Sequence, residues 1–220
     1  MANWRTEPRR VSWQWLVFRH AALDTAPLFH AAGEPVPSQR SGRWHRETQG
    51  YAQYFSLEPA GAWAELIRYE RIRARARAEQ YIRRLWLVAV DETEIADLST
   101  FERYADCGLD PRLAVGDHAE SQALADELRA AGYRGLRSPS AAFPEATNLT
   151  LFGERYEKVL LTRPEQWPNP NPQMRLACHL AAESGPPADM ITATCFWGMP
   201  HDGYRSYLRA NHLTEPRTPP

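Results

Sequence analysis

The chain has 220 residues and a mass of 25.1 kDa, room for one large domain or one domain with an extension. Its 26 Lys and Arg nearly balance 27 Asp and Glu, and the net charge of −1 excludes the strongly basic footprint of a dedicated nucleic-acid binder. Apolar content of 43% with 24% charged residues excludes wholesale disorder.

A strand is expected at residues 11–18, where Val11, Trp13, Trp15 and Val17 alternate onto one face. A Pro- and Gly-rich loop follows at 27–42, then a second strand at 51–56. Ser56-Leu57-Glu58-Pro59 reads as a helix start, with Ser56 as the cap and Pro59 in the first turn; Ala60, Trp63, Ala64, Ile67 and Arg71 mark one side of that helix. Residues 85–90 form a buried strand and 95–98 a shorter one, and Ser99 or Thr100 caps a short helix through Ala105. Residues 117–131 give the clearest helix: Ala119, Ala123, Leu124 and Leu128 share a face, and Gly132 sits where a left-handed C-terminal residue belongs. Leu136, 149–152 and 156–161 are further strand candidates. A Pro/Asn hinge at 164–172, strand-like runs at 174–180 and 191–197, and a fraying Pro-rich end complete the chain. The fold class expected from this order is α+β, with short strands.

Cys107, Cys178 and Cys195 are too scattered for a disulfide framework and read as reduced, buried thiols of a cytoplasmic protein. The beginning carries Arg5, Glu7, Arg9 and Arg10 rather than a signal-peptide core, and the longest aliphatic or aromatic run, 85–90, is too short to span a membrane. Dinucleotide-fold glycine fingerprints, phosphate-binding loops, zinc-protease helices and nucleophile elbows are all missing from the sequence. The seven histidines show no ligand pairing, so no metal site is expected. Cys178 and His179, adjacent on a strand, face opposite ways and cannot form a local dyad.

Lys158 is the only lysine, so 26 − 1 = 25 of the cations are arginine, the better bidentate ligand for phosphate and carboxylate; codon usage explains that bias as simply as function does. Ser41-Gly42-Arg43-Trp44, the strand ending near Tyr54 and the helix holding Glu65 place one Arg, one Tyr and one Glu at intervals of eleven. Glu65 lies beside the apolar positions Ala62 and Ile67, and a carboxylate turned inward is costly unless paired, which marks it as a site candidate. A third element, Ser138-Pro139-Ser140 after the 117–131 helix, could aim a hydroxyl at a ligand; alone it is ordinary turn chemistry.

In this order the elements resemble the RES-domain family, named for a shared Arg, Glu and Ser. The matching features are Phe18-Arg19, Gly42-Arg43-Trp44, Gln53-Tyr54-Phe55-Ser56, Ala62-Trp63-Ala64-Glu65, the block Ser121 to Asp126, Gly132-Tyr133-Arg134-Gly135-Leu136, Pro139-Ser140-Ala141 and Asn148-Leu149-Thr150-Leu151-Phe152. Two positions depart from the pattern: Ser41 stands at the first glycine of Gly-Gly-Arg-Trp, and His20 where an aromatic commonly follows the first arginine. The resemblance implies a single domain over 1–220, with a RES-like core at about 15–161 and a C-terminal extension at 162–220.

What the resemblance further implies is a compact fold similar to ADP-ribosyltransferases, with short mixed and antiparallel strands and flanking helices. The implied activity is NAD⁺ glycohydrolase chemistry by the toxin of a toxin–antitoxin pair. ADP-ribosyl transfer to a protein or small molecule, or NAD⁺ phosphorolysis, are alternatives at the same site. The family residues map onto Arg19, Arg43, Tyr54, Glu65 and Ser140. Glu65, Arg43 and Ser140 are then the catalytic set, and Arg19, Arg43, Tyr54 and His20 the substrate-binding set. NAD⁺ is substrate and no resident cofactor is implied; the expected partners are NAD⁺ and an antitoxin protein, with a homo-oligomer open. From a different class comes a non-catalytic interaction module, supported by the arginines between Arg68 and Arg84, a run that otherwise reads as a solvated helix face balanced by Glu70 and Glu79.

Overall fold

The computed structural model describes residues 4–25, 39–49, 51–153 and 176–214, with the backbone alone for Gln49 and 176–182. Six strands form one sheet: β1 (Arg10–Ala21), β2 (Ala52–Ser56), β3 (Arg83–Asp97), β4 (Gly135–Pro139), β5 (Thr147–Phe152) and β6 (Leu176–Ser184). The helices are α1 (Pro59–Tyr69), α2 (Arg75–Ala78), α3 (Phe101–Asp106), α4 (His118–Ala130), α5 (Met190–Ala193) and α6 (Asp202–Ala210), with 3-10 turns at Glu47–Gln49 and Pro111–Ala114. The content is mixed α+β around a strand-rich sheet.

Strand order is β1-β2-β5-β4-β3-β6, and β1 also pairs with β3, so the first five strands close a ring. β3 makes this closure possible by its length. One edge runs antiparallel to β1 from Arg84 to Ala96, while the other serves β6 with residues 83–90 and β4 with Ile95, Ala96 and Asp97. The β3–β4 pairing is the parallel one, and the crossover it requires carries α3 and α4. Closure is uneven, because β1 meets β2 through the single pair Phe18↔Ser56. Val17, Phe55, Val88, Val90, Ile95, Leu149 and Leu151 pack within the ring. A second core joins α3, α4 and α6 to Trp44, and a third joins α1 to α5 through Ala64, Ile67, Ala142 and Met190.

The expected helices at 99–105 and 117–131 form as α3 and α4, capped by Thr100 and Asp117, with Gly132 at φ +85° after α4. Five expectations are corrected. Ser56 does not cap α1: proline at the first helical position makes Glu58 the cap residue, and Ser56 Oγ accepts only from the Glu58 amide at 3.4 Å. The strands at 85–90 and 95–98 are one, β3. Its polar middle is kept in the sheet by ion pairs, Arg134 to the fully buried Glu92 at 2.8 Å and Arg10 to Glu94. Residues 191–197 are not a strand despite their β-branched and aromatic content. Met190 and Phe196 bury beside α1, and the segment forms α5 and a turn. The arginines from 68 to 84 do not share one helix face: they spread over α1, α2 and β3, and Arg71 takes a left-handed conformation at φ 54°. Trp15, expected on the core face with Val17, is 70% exposed among the described residues. The strand candidate at 156–161, the hinge at 164–172 and the end from 215 onward lie outside the described residues.

Candidate active site

A cleft of about 680 Å³ opens between α1, the 39–45 loop and the face of β2, β5 and β4. Strand register makes its floor polar. Tyr54 on β2 lies opposite Thr150 on β5, and the next inward row is Ser56–Asn148–Ser138 across β2, β5 and β4. The period of two puts all five side chains on one face, where they line the cleft. Thr150 Oγ1 and Asn148 Oδ1 are buried there without a hydrogen-bond partner among the described residues, as is His45 Nε2. Buried polar atoms without partners are costly and sit where a ligand can complete them.

Helix α1 lies low over this floor because Gly61 touches it: a Cβ there would stand 2.2 Å from Ser56 Oγ and 2.9 Å from Ala146 Cβ. Glu65, two turns into α1, is thereby delivered to the floor. Its Oε1 accepts from Ser140 Oγ at 2.8 Å and from Asn148 Nδ2 at 2.8 Å. Both bonds end on the same oxygen, which fixes the carboxylate's rotation and leaves Oε2 for the cleft. Ser140 itself is fully buried. Its one hydroxyl hydrogen goes to Glu65, while its lone pairs take the amides of Ala142 and Phe143 at 3.2 and 3.1 Å. With hydrogen and lone pairs committed, Ser140 stands behind Glu65 as its brace.

The charges around Glu65 are of one sign. Arg19, Arg40, Arg43, Arg68 and Arg71 line the cleft, against the single carboxylate of Glu65. Arg19 donates to Gln53 Oε1 at 2.9 Å. Arg43 donates to Gly116 O at 2.9 Å and to Ser121 Oγ at 3.4 Å, which ties the 42–45 corner to the start of α4. Burial lowers the Arg43 pKa to about 10, opposed by Glu65, so it stays protonated at neutral pH. Arg68, buried within a run that reads as solvated in sequence, donates to Ala141 O and, at 2.6 Å, to Cys195 O.

Aromatic and imidazole groups complete the walls. Tyr54 OH accepts from the Trp44 amide at 3.0 Å and meets His45 Nδ1 at 2.8 Å; burial pushes its phenol above the ordinary range. His20 stacks on Trp63 with centroids 6.1 Å apart, and burial, helped by Arg19 and Arg83, lowers its pKa to about 3. His118 is lowered to about 4 by burial and by Arg43 and Arg68, so both imidazoles are neutral at pH 7.

Of the residues singled out in sequence, the structure brings Arg19, His20, Arg43, Tyr54 and Glu65 to the cleft surface and sets Ser140 one layer behind. In the sequence Asn148 and Thr150 stand only within a matching block and Arg68 within the arginine run, and His118 and Trp197 carry no assigned role. The polar–apolar alternation of Asn148-Leu149-Thr150 held a signal for the first two, and the three-residue step from Glu65 to Arg68 held one for the third. His118 and Trp197 arrive from distant segments and left none. Among the described residues no group of three or more His, Cys, Asp or Glu is placed to hold a metal ion, and no helix is long and apolar enough to cross a membrane.

No curated protein matches the sequence significantly. Among solved structures, the chain is similar to a chain of the M. tuberculosis MbcT–MbcA toxin–antitoxin complex, with a TM-score of 0.58 and 16% identity. That match covers 83% of this chain and 90% of the other, and it shows a shared fold. The RES domain model matches residues 4–172, more than three-quarters of the sequence, and the chain therefore belongs to the RES domain family.

Proposed function

We propose that this protein is an NAD⁺-consuming enzyme with an ADP-ribosyltransferase-like site, acting as the toxin of a toxin–antitoxin pair, and that its reaction is hydrolysis of the bond between nicotinamide and ribose. RES family membership and the fold shared with the M. tuberculosis toxin–antitoxin complex support the class. The observation that carries the chemistry is Glu65: a carboxylate gripped on one oxygen by Ser140 and Asn148, in a cleft that five arginines also line.

The bond to be broken joins ribose C1″ to a positively charged pyridinium nitrogen. Its electron pair leaves with nicotinamide, which departs neutral and needs no acid catalyst. The ribose is left with oxocarbenium character, and a carboxylate already oriented stabilises that charge without reorganising. Glu65 Oε2 faces the developing cation or a ribose hydroxyl. A water oxygen then bonds to C1″ and its proton passes to solvent, giving ADP-ribose and one proton. Arg19 and Arg43 hold the pyrophosphate through charge-assisted bonds, which fixes the distance between C1″ and Glu65. Tyr54 packs beside the nicotinamide half.

Purified protein incubated with NAD⁺ is expected to release nicotinamide, and Glu65→Ala to lower the rate about a hundredfold or more. Equal turnover by both would remove Glu65 from the mechanism. Product identity settles the acceptor: free ADP-ribose marks hydrolysis, ADP-ribose 1″-phosphate on adding phosphate marks phosphorolysis, and label retained on a macromolecule marks transfer.

A further inference from the structure

The matched domain ends at residue 172, yet Trp197, from beyond it, also lines the cleft. After α5 the chain turns through residues 194–201 and is fastened to the loop that braces Glu65. Arg68 donates to Cys195 O at 2.6 Å, the Cys195 amide donates to Ala142 O at 2.7 Å, and His201 Nε2 meets Ser140 O at 2.9 Å. Within that turn Trp197 lines the cleft, the residue 44% exposed. Two contacts orient the indole. The Arg68 guanidinium lies 4.1 Å from its ring centroid, and the His118 ring meets it edge-on at 5.0 Å.

Arg68 follows Glu65 by one turn of α1 and its guanidinium reaches the Trp197 ring, while Arg19 and Arg43 line the same cleft. One cleft thus holds a carboxylate, several cations and an aromatic ring beside an imidazole. A dinucleotide carries complementary groups: a ribosyl centre that becomes cationic, a pyrophosphate, and a second base.

We propose that Trp197 is the platform on which the adenine of the dinucleotide stacks, with the segment 194–201 holding it in place. This deepens the functional reading above and rests on it. Arg68 covers one indole face and His118 meets the ring edge-on, which fixes the orientation of the residue, so a flat base stacking on it gains contact area at little ordering cost. A stacked base is commonly worth about a tenfold or larger change in affinity on loss of the aromatic ring.

The test uses ADP as the probe and titration calorimetry as the readout, with NAD⁺ and nicotinamide mononucleotide kinetics beside it. Trp197→Ala is expected to weaken ADP binding about tenfold and raise KM for NAD⁺ similarly with kcat little changed, while Trp197→Phe stays near wild type. Nicotinamide mononucleotide, which lacks the adenosine half, is expected to be cleaved with the same kcat/KM by wild type and Trp197→Ala. Trp197→Leu keeps the apolar bulk and is expected to lose ADP affinity as the alanine variant does, which separates stacking from support of the fold. Equal ADP affinity in wild type and Trp197→Leu, or no ADP binding by wild type, would overturn the platform. Failure of wild type to cleave NAD⁺ while ADP binding still depends on Trp197 would overturn the activity and leave the platform standing.

Discussion

Asn148→Ala and Ser140→Ala remove the two donors on Glu65 Oε1, both at 2.8 Å, and the structure separates their consequences. A hydrogen bond to a charged group contributes about 1.5–3 kcal/mol. If that is felt wholly in the transition state, through a carboxylate no longer aimed, kcat falls about ten- to hundredfold. The Asn148 side chain makes no second hydrogen bond among the described residues, its Oδ1 having no partner, so Asn148→Ala is expected to lower the melting temperature less than Ser140→Ala. Ser140 differs, because its oxygen also accepts the amides of Ala142 and Phe143 in a buried loop. Leaving such amides without an acceptor costs about 1–3 kcal/mol, and about 2–4 °C of melting temperature per kcal/mol in a chain of this size. Ser140→Ala should therefore lose both activity and stability. The double variant should fall short of the product of the two kcat losses, since a carboxylate freed by the first change has less to lose by the second. Nicotinamide release under saturating NAD⁺, with thermal melts on the same samples, provides both readouts. Wild-type kcat in Asn148→Ala, or a strictly multiplicative double variant, would refute the idea that one oxygen is jointly held.

Stability should also fall in mild acid. Burial lowers His20 to about 3 and His118 to about 4, and His45 and His201 are lowered too, whereas an unfolded histidine protonates near pH 6.5. Below that value the unfolded chain binds more protons than the native one, so stability is full above about pH 6.5 and drains as pH falls toward the folded-state values. Melting temperatures are expected to hold from pH 8 to 7 and drop between 6.5 and 5; a flat profile down to pH 5 would contradict it. Gly135→Ala is expected to destabilise strongly, because its Cβ would stand 2.4 Å from the Thr150 carbonyl in the β4–β5 ladder, where neither backbone can give way. Thermal melts check this, and a loss under about 2 °C would contradict the close approach.

Local signals were legible in the sequence wherever a single segment decides the outcome. Asp117 and Gly132 bracket α4, and Pro59 opens α1, because caps and fixed backbone angles act over a few residues. What stayed hidden depends on partners far along the chain. The polar stretch through Glu92 and Glu94 reads as a break in β3 until Arg134 and Arg10 are seen to pair with it. Arg68 reads as one more solvated cation until the carbonyls of Ala141 and Cys195 are found around it. The cleft residues were found through an ordered set of short motifs. Trp197 and His118 belong to no such set, and only folding brings them beside Arg68.

The seam between β1 and β2 bears on how the mouth of the cleft is held. Phe18 and Ser56, the one pair that joins these strands, both border the cleft, while the ladder on the far side of β1 runs unbroken from Trp13↔Glu92 to Ala21↔Arg84. Parting the seam would forfeit one backbone pairing, roughly 0.5–1.5 kcal/mol per hydrogen bond, and the Arg19–Gln53 bond that spans the same two strands, while the β1–β3 ladder stayed whole. The ring is therefore fastened most lightly at its cleft side, and there a side chain that lines the cleft does part of the holding.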